Sequence, residues 1–151
     1  MSTLDPIEAR FGALVSALAP AARAVLAKEI ARQLRQSQTK RIAAQENPDG
    51  SAFEPRKPQL RNRKKNLRTG MFGKLRTAKY LKASGTAEGA IVSFTRDVER
   101  IARVHQFGLR DRVSRKSGLE VEYPVRQLLG VSSDDETALT ELIADHLARA
   151  L

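Results

Sequence analysis

Cysteine and tryptophan are absent from this chain of 151 residues, and histidine occurs only twice. Without cysteine there is no disulfide framework, thiolate nucleophile or cysteine-ligated zinc, as suits a protein assembled in a reducing cytosol. His105 and His146 stand 41 positions apart, which matches neither HExxH spacing nor a His/Cys zinc pattern. We therefore expect both histidines to be structural, and we expect no metal or other cofactor.

Phosphate-binding loops and long apolar runs are also missing. The segment Gly85-Thr86-Ala87-Glu88-Gly89 lacks the lysine and the spacing of a nucleotide-binding loop. The most apolar stretch, residues 11–26, is interrupted by Ser16, Pro20 and Arg23 and is too short to span a membrane. The N-terminus does not combine a basic start with an apolar run, so no export signal is predicted. These absences argue against an enzyme and against a membrane protein.

Positive charge is abundant and unevenly placed, with 27 lysines and arginines against 17 acidic residues and a formal net charge of +10. Residues 54–118 carry 18 basic and five acidic residues, whereas residues 119–151 carry two and seven. A segment so basic binds an anionic surface or stays solvated. The acidic C-terminus indicates self-association, in which the tail of one copy meets the basic middle of another.

A basic arm is predicted at about residues 51–66, where Pro55 and Pro58 alternate with charged residues and almost nothing apolar recurs. We expect this arm to be mobile until a partner orders it. Several roles are open for the arm: it could bind phosphate groups, dock on an acidic protein surface or line a channel through which DNA passes. It could also be a solvated loop that binds no partner. Because only 5% of the residues are aromatic, no base-stacking platform is expected. The candidate contact residues are Arg56, Lys57, Arg61, Arg63, Lys64, Lys65 and Arg68.

Two helices are predicted in the first third of the chain. Asp5 and Pro6 are typical of a helix start, and an apolar stripe runs on to Leu18. Pro20 either kinks the chain or starts a second helix, which is long and ends before the turn Asn47-Pro48-Asp49-Gly50, in which proline fixes φ and glycine supplies a positive φ. Its basic residues are expected on the outer face, namely Lys28, Arg32, Arg35, Lys40 and Arg41.

The whole chain, residues 1–151, is predicted to form one α+β domain, in which a small antiparallel sheet of hairpins lies between the N-terminal helices and a C-terminal amphipathic helix. Spacing indicates a weak helix over 67–77, hairpins within 80–95 and 109–125, and a short helix near Val98. The C-terminal helix, capped by a serine at 132 or 133, is expected to cover the sheet with a stripe of Leu139, Leu142, Ile143 and Leu147.

Three acidic residues fill the first turn of that last helix. A metal-binding or general-base role is one interpretation of such a group, and favourable interaction with the helix dipole is the simpler one. We predict that all three face outward, toward the arginines of a neighbouring copy. They are Asp134, Asp135 and Glu136.

Five blocks of sequence stand in a recognisable order, and an acid-capped helix follows them. They are Gln38 to Gln45, Asn47 to Gly50, Met71 to Arg76, Ala102 to Gly108 and Arg126 to Gly130. In this order, and over nearly the whole chain, they resemble the phage virion morphogenesis family, in particular its members from contractile-tailed, peduovirus-type phages.

The resemblance implies a structural, non-enzymatic virion protein that finishes the head-proximal end of the tail and makes it competent to join a DNA-filled head. It implies a homomeric ring, expected to hold six copies because such tails have sixfold symmetry, which assembles in the bacterial cytoplasm. The implied partners are the tail tube or terminator, the head connector and, without sequence readout, the phage DNA. Roles in the fold would fall to Pro48, Asp49, Gly50, His105, Gln106, Phe107, Gly108, Arg126, Leu129 and Gly130.

A different class of protein stays open beside this one. The basic residues within 56–82 suit a small nucleic-acid-binding or regulatory module that acts outside any particle. Tight binding of duplex DNA with a steep dependence on salt would favour that alternative.

Overall fold

The computed structural model describes residues 5–57 and 70–150. In chain order the elements are α1 (Asp5–Ala17), α2 (Pro20–Ala43), β1 (Leu81–Thr86), β2 (Gly89–Phe94), α3 (Arg96–Phe107), β3 (Arg110–Arg112), β4 (Glu120–Glu122) and α4 (Ser133–Ala150). Each pair of strands forms its own two-stranded antiparallel sheet. Within these residues the predicted α+β fold, with helices at both ends and hairpins between them, is confirmed.

The first two helices are separated by a short extended break. Ala19 has φ −59° and ψ 148° because the proline that follows it disfavours the helical conformation. Pro20 then starts α2, where its missing N–H group is not needed. The two predicted helices and the end of α2 before Asn47 are confirmed, whereas the predicted cap at Asp5 involves a side chain outside the described part of the chain.

The hairpin of β1 and β2 lies across α2. Its closed end pairs Thr86 with Gly89, so the connecting loop is two residues long. A Cβ atom at Gly85 would lie 2.3 Å from the backbone nitrogen of Lys28, and for this reason only glycine permits the close crossing of strand and helix.

The second predicted hairpin is also present, between β3 and β4. Asp111 pairs with Val121 at its centre, with an arginine opposite a glutamate on either side. The apolar residues that alternate along β4 are only partly buried, since Val121 and Tyr123 are half-buried and Leu119 is exposed. This hairpin follows α3, which ends at the left-handed Gly108 (φ 63°).

The core lies where the C-terminal end of α2 meets α3 and several irregular segments. Its buried members are Ile42, Phe53, Met71, Leu75, Ala102 and Leu128, with Phe72, Phe94 and Val98 packed against them. Phe53 falls inside the predicted arm, but its ring is buried and its N–H group donates to the carbonyl of Gln45 (2.7 Å). The prediction of a mobile arm is therefore wrong for residues 51–53, and also for residues 54 and 55, whose carbonyls bind Arg126. Most of the rest of the arm, residues 58–66, lies outside the described part.

Residues 70–80 form a series of turns. The weak helix predicted over 67–77 is wrong for its described part, 70–77, which contains Gly70 and Gly73 and bends at Phe72, whose φ is 64°. A bulky residue with positive φ is uncommon and interrupts any helical path.

Helix α4 packs chiefly on α2, so the prediction that its stripe covers the sheet is wrong. The hydroxyl of Ser37 donates to Asp135, and Nε2 of His146 lies 2.7 Å from the carboxylate of Glu29. These two contacts make the helices antiparallel. The stripe is partly covered, with one member buried and three half-buried: Leu147, then Leu139, Leu142 and Ile143.

Candidate functional site

All five sequence blocks meet where α2 ends and the chain turns back, and the block Met71 to Arg76 takes part through Gln45 and Thr39. The structure brings together residues 38–50, residues 105–108 at the end of α3, and residues 126–130 before α4. We call these three segments the junction. Sequence reasoning identified the blocks separately, and their contacts depend on the three-dimensional path of the chain.

The turn of the junction is closed by its own polar groups and tied to the C-terminal segment. The N–H group of Gly50, which has φ 85°, donates to the carbonyl of Asn47 (2.9 Å). The carboxylate of Asp49 accepts the N–H group (2.9 Å) and the hydroxyl of Ser51, and these bonds lower its pKa. The amide oxygen of Asn47 accepts the N–H group of Gln127 (2.9 Å). The turn therefore fixes the C-terminal segment as well as redirecting the chain.

Arg41 lies at the centre of the junction and is only 9% exposed, so its predicted place on the outer face of α2 is wrong. Nη1 donates to the carbonyls of Glu46 (2.9 Å) and Gln127 (2.7 Å). Nη2 donates to the carbonyl of Leu128 (2.8 Å) and to the side chain of Gln38 (2.5 Å). The planar guanidinium thus holds α2 against the segment before α4, with geometry that a lysine does not reproduce.

Two glutamine side chains link further segments, because each amide forms two hydrogen bonds to the backbone N–H and C=O groups of one residue. The amide of Gln106 accepts the N–H group of Leu129 (2.9 Å) and donates to its carbonyl (2.8 Å). In the same way, Gln45 accepts the N–H group of Met71 (2.7 Å) and donates to its carbonyl (2.9 Å). Each glutamine satisfies both backbone groups of a residue that lies in no regular element.

Two glycines of the junction are needed for close approach. A Cβ atom at Gly130 would lie 2.3 Å from Cγ of Pro48, and the N–H group of Gly130 donates to the side chain of Gln38 (3.0 Å). A Cβ atom at Gly108, where φ is also positive, would lie 2.7 Å from a methyl group of Val125. These contacts account for the glycines in two of the sequence blocks.

Arg126 connects the junction to the point where the basic arm leaves the core. The residue is 5% exposed, and its Nε donates to the carbonyl of Glu54 (2.7 Å). Nη2 donates to the carbonyl of Pro55 (3.3 Å), and Nη1 donates to Nδ1 of His105 (3.2 Å). Arg126 therefore fixes residues 54 and 55 against the end of α3.

The imidazole of His105 is neutral at pH 7. Because an arginine only donates, Nδ1 of His105 accepts from Arg126 and the ring proton is on Nε2. The ring packs edge-on against Phe72 (4.8 Å between centroids) and Tyr123 (5.0 Å). Burial, and the positive charges of Arg126 and Arg56, lower the pKa of His105 to about 4. His105 is thus a structural histidine in an aromatic row rather than a proton-transfer group at neutral pH.

A cleft of about 830 Å³ opens beside this aromatic row. Phe72, Tyr123 and Arg126 line its inner wall, and Arg56 and Lys57 lie at its edge with exposed side chains. The other five candidate contact residues of the arm lie outside the described residues, namely Arg61, Arg63, Lys64, Lys65 and Arg68.

The three acids at the start of α4 do not share one environment. Asp134 and Glu136 are exposed, as predicted, but Asp135 is 7% exposed and the prediction is wrong for it. One carboxylate oxygen of Asp135 accepts the hydroxyl of Ser37, and the other accepts the N–H group of Ser132 (3.0 Å). The hydroxyl of Ser132 in turn accepts the N–H group of Asp135 (3.1 Å), which completes a reciprocal helix cap. Asp135 therefore belongs to the contact between α4 and α2.

Phe107 differs from the other residues of its block because its side chain is 63% exposed. Its side chain lies outside the core, and Phe107 is the last residue of α3 before Gly108, whereas the neighbouring His105 and Gln106 both hold distant segments. Sequence reasoning did not single out three residues that do most of this work, Gln38, Arg41 and Gln45. Gln38 and Arg41 stand three positions apart on one face of α2, and this spacing was the available signal, whereas Gln45 follows the helix with φ 60°.

Most polar side chains of the junction form hydrogen bonds to backbone groups, so their role is to hold distant segments of the chain together. Within residues 5–57 and 70–150 there is no group of three or more His, Asp or Glu side chains placed to bind a metal ion. No helix in the described part of the chain has the length and apolar character to cross a membrane.

Comparison with known proteins gives one family and one curated relative. The model of the Phage virion morphogenesis family matches residues 3–148. The chain is similar to Tail completion protein S of Escherichia phage P2, with 38% identity over 151 residues, which cover 99% of this chain and 100% of the relative. No solved structure matches the chain.

Proposed function

Because the chain belongs to the phage virion morphogenesis family, we propose that it is a structural protein that completes the phage tail and prepares its head-proximal end for joining to the head. The observation that carries this proposal is its 38% identity, from end to end, to a protein named for tail completion. The geometry supports the same conclusion, since the buried arginines, glutamines and glycines hold the fold and leave the charged surface for partners.

The proposed working form is a homomeric ring, with six copies as the number expected for tails of this symmetry. Ring closure needs two different surfaces that meet head to tail. The chain offers surfaces of opposite charge, because residues 54–118 are strongly basic and residues 119–151 are acidic. The ring would contact the tail tube or terminator on one side and the head connector on the other, within the virion.

The cleft and the basic arm are the proposed surface toward those partners or toward the phage DNA. Arg126 fixes the start of the arm, so Arg56 and Lys57 project from an anchored base. Phosphate contact at such a base would be independent of DNA sequence. We expect weak binding of DNA through its phosphates rather than recognition of a DNA sequence.

Complementation in the phage tests the function. A phage with a nonsense mutation in this gene should produce filled heads and separate tails that electron microscopy resolves, and the protein supplied in trans should restore complete particles. The double variant R56E/K57E should restore fewer particles, whereas R115E/K116E, matched in charge change and exposed at the second hairpin, should restore them fully. Normal particles without the protein would contradict the proposal.

Two further measurements address the ring and the alternative. The mass of the protein in solution and its copy number in purified tails should indicate several copies, and a monomer that is absent from particles would contradict the ring. Titration of duplex DNA at rising salt distinguishes the alternative, a free nucleic-acid-binding module. That alternative requires tight binding at physiological ionic strength and a steep loss of affinity with salt.

A further inference from the structure

A groove of about 340 Å³ separates α2 from β1. Lys28, Arg32 and Arg35 line it from the helix, and Lys82 lines it from the strand. At about 100° per residue the three helix residues lie within about 60° of one another. Glu29, which contacts α4, lies on another face of the helix. The groove therefore opens away from α4.

The positive charges at the edge of this groove are free to meet a partner. None of the four basic residues forms an ion pair with a carboxylate among the residues that the structure describes. Arg35 donates from Nε to the carbonyl of Leu81 (3.0 Å), which fixes the helix to the strand. Lys28, Arg32 and Lys82 are exposed. The groove thus combines a fixed wall with three accessible cations.

The outer face of α4 carries a stripe of the opposite charge. Asp134, Glu141 and Asp145 are all exposed and lie within about 40° of one another around the helix. Asp135 and His146, which contact α2, lie on a different side of α4. No ion pair involves any of the three acids within residues 5–57 and 70–150. This acidic stripe therefore faces away from its own α2.

We infer that the groove between α2 and β1 receives the acidic stripe of α4 from a second copy of this chain. Lys28 and Arg32 are four residues apart, as are Glu141 and Asp145, so each pair is separated by about 6 Å along its helix. The two helices can therefore align their charges in register. This inference rests on the proposed self-association, and it places the basic surface mainly on α2 rather than in residues 54–118.

The placement of the surfaces favours a chain of contacts rather than a closed pair. The groove opens on the β1 side of α2, and the acidic stripe lies beyond α4, so one copy presents the two surfaces in different directions. Each copy then binds one neighbour through its groove and another through its α4. Such a head-to-tail interface closes into a ring when the rotation between copies allows it.

The wall of the groove favours a protein segment over a nucleic-acid backbone. Besides its basic residues the groove is lined by Ser84, by Gly85 and by three apolar residues, Ala78, Leu81 and Ala83, whose side chains offer no partner to phosphate oxygens. A helix brings both apolar and acidic side chains, for example Ala148 beside Asp145 on the exposed side of α4. The groove therefore matches a helix in polarity as well as in charge.

Charge reversal on either surface tests the inference. Sedimentation of the full-length protein should show self-association for the wild type, and both K28E/R32E and E141K/D145K should weaken it by about a hundredfold, because each reversed pair is expected to cost about tenfold in affinity. The combined variant K28E/R32E/E141K/D145K restores opposite charges across the interface and should recover most of the affinity. Recovery is the decisive result, since misfolded or nonspecifically altered proteins do not regain association.

Matched controls separate this interface from a general effect of net charge. R115E/K116E changes the charge as K28E/R32E does, and E8K/E99K changes it as E141K/D145K does, at exposed positions elsewhere. Both controls should associate like the wild type. Raising the salt from 0.1 M to 1 M shortens the screening length from about 10 Å to about 3 Å and should dissociate the wild-type assembly.

Three results would overturn the inference. If neither double variant weakens association, the copies meet through other surfaces. If the wild-type protein stays monomeric at all concentrations and in assembled tails, a second copy does not occupy the groove. Duplex DNA that binds the wild type but not K28E/R32E would instead assign the groove to nucleic acid. The complementation experiment is independent of all three, so tail completion can stand when this interface fails.

Discussion

Replacement of Arg41 tests whether the junction holds the fold. Arg41→Met keeps the length of the side chain and removes hydrogen bonds to three carbonyls and to one amide oxygen. Hydrogen bonds from a charged group are each worth about 1.5–3 kcal/mol, but part of this is returned because a buried guanidinium no longer needs to be desolvated. We expect a net loss of about 3–5 kcal/mol in the free energy of unfolding, as for breaking other buried charged contacts.

Urea unfolding followed by circular dichroism measures this loss. For a slope of about 2 kcal/mol per molar urea, the midpoint should fall by about 1.5–2.5 M. Arg41→Lys should recover only part of the loss, because an ammonium group does not span the carbonyls of Glu46, Gln127 and Leu128 at once. Lys40→Met, at the exposed neighbouring position, should change stability by less than about 0.5 kcal/mol. A loss below about 1 kcal/mol for Arg41→Met would refute the assigned role.

Three further changes probe other contacts of the junction and of α4. Gly130→Ala places a methyl group against the ring of Pro48 and should cost about 1–3 kcal/mol in thermal unfolding, and an unchanged melting temperature would show that the two segments separate easily. NMR titration should find His105 neutral down to about pH 4. Because folding lowers the pKa of His105 from 6.5, protonation favours the unfolded chain. The contribution of His105 to stability is therefore full above pH 6.5 and is lost as the pH falls toward 4. Asp135→Asn loses one of two accepted hydrogen bonds and should cost about 1–2 kcal/mol, whereas Glu136→Gln at an exposed position should cost a few tenths; equal effects would contradict the burial of Asp135.

Local signals were sufficient for most of the elements. The turn at Asn47 and the serine before α4 each have a cause within a few residues, and each was predicted correctly. The start of a helix at Pro20 was one of the two outcomes predicted there. Helical spacing also found α3, and alternation found both hairpins. These features depend on backbone preferences that the neighbouring sequence determines.

The errors arose where distant segments override a local pattern. Arg41 resembles its exposed neighbour Lys40 in sequence and becomes buried only because carbonyls from residues 127 and 128 meet it. Phe53 is a single aromatic residue in a polar stretch and was assigned to the arm for that reason, but it completes the core. Asp135 lies between two exposed acids, and only the position of Ser37 on α2 decides its burial. Such outcomes follow from the packing of α2, which one sequence does not reveal.

The contacts of Arg41 also determine when the protein can fold during its synthesis. Its carbonyl partners at Gln127 and Leu128 lie 86 and 87 positions later in the chain. At about 5–20 residues per second, translation takes about 4–17 s to produce them after Arg41. During that interval the guanidinium of Arg41 lacks two of the carbonyls that it binds in the folded protein. Stable folding must therefore wait until residues 127 and 128 have been made. A nascent chain is thus exposed to host proteases and chaperones for seconds, and fragments that end before Arg126 are expected to be degraded rather than partly active.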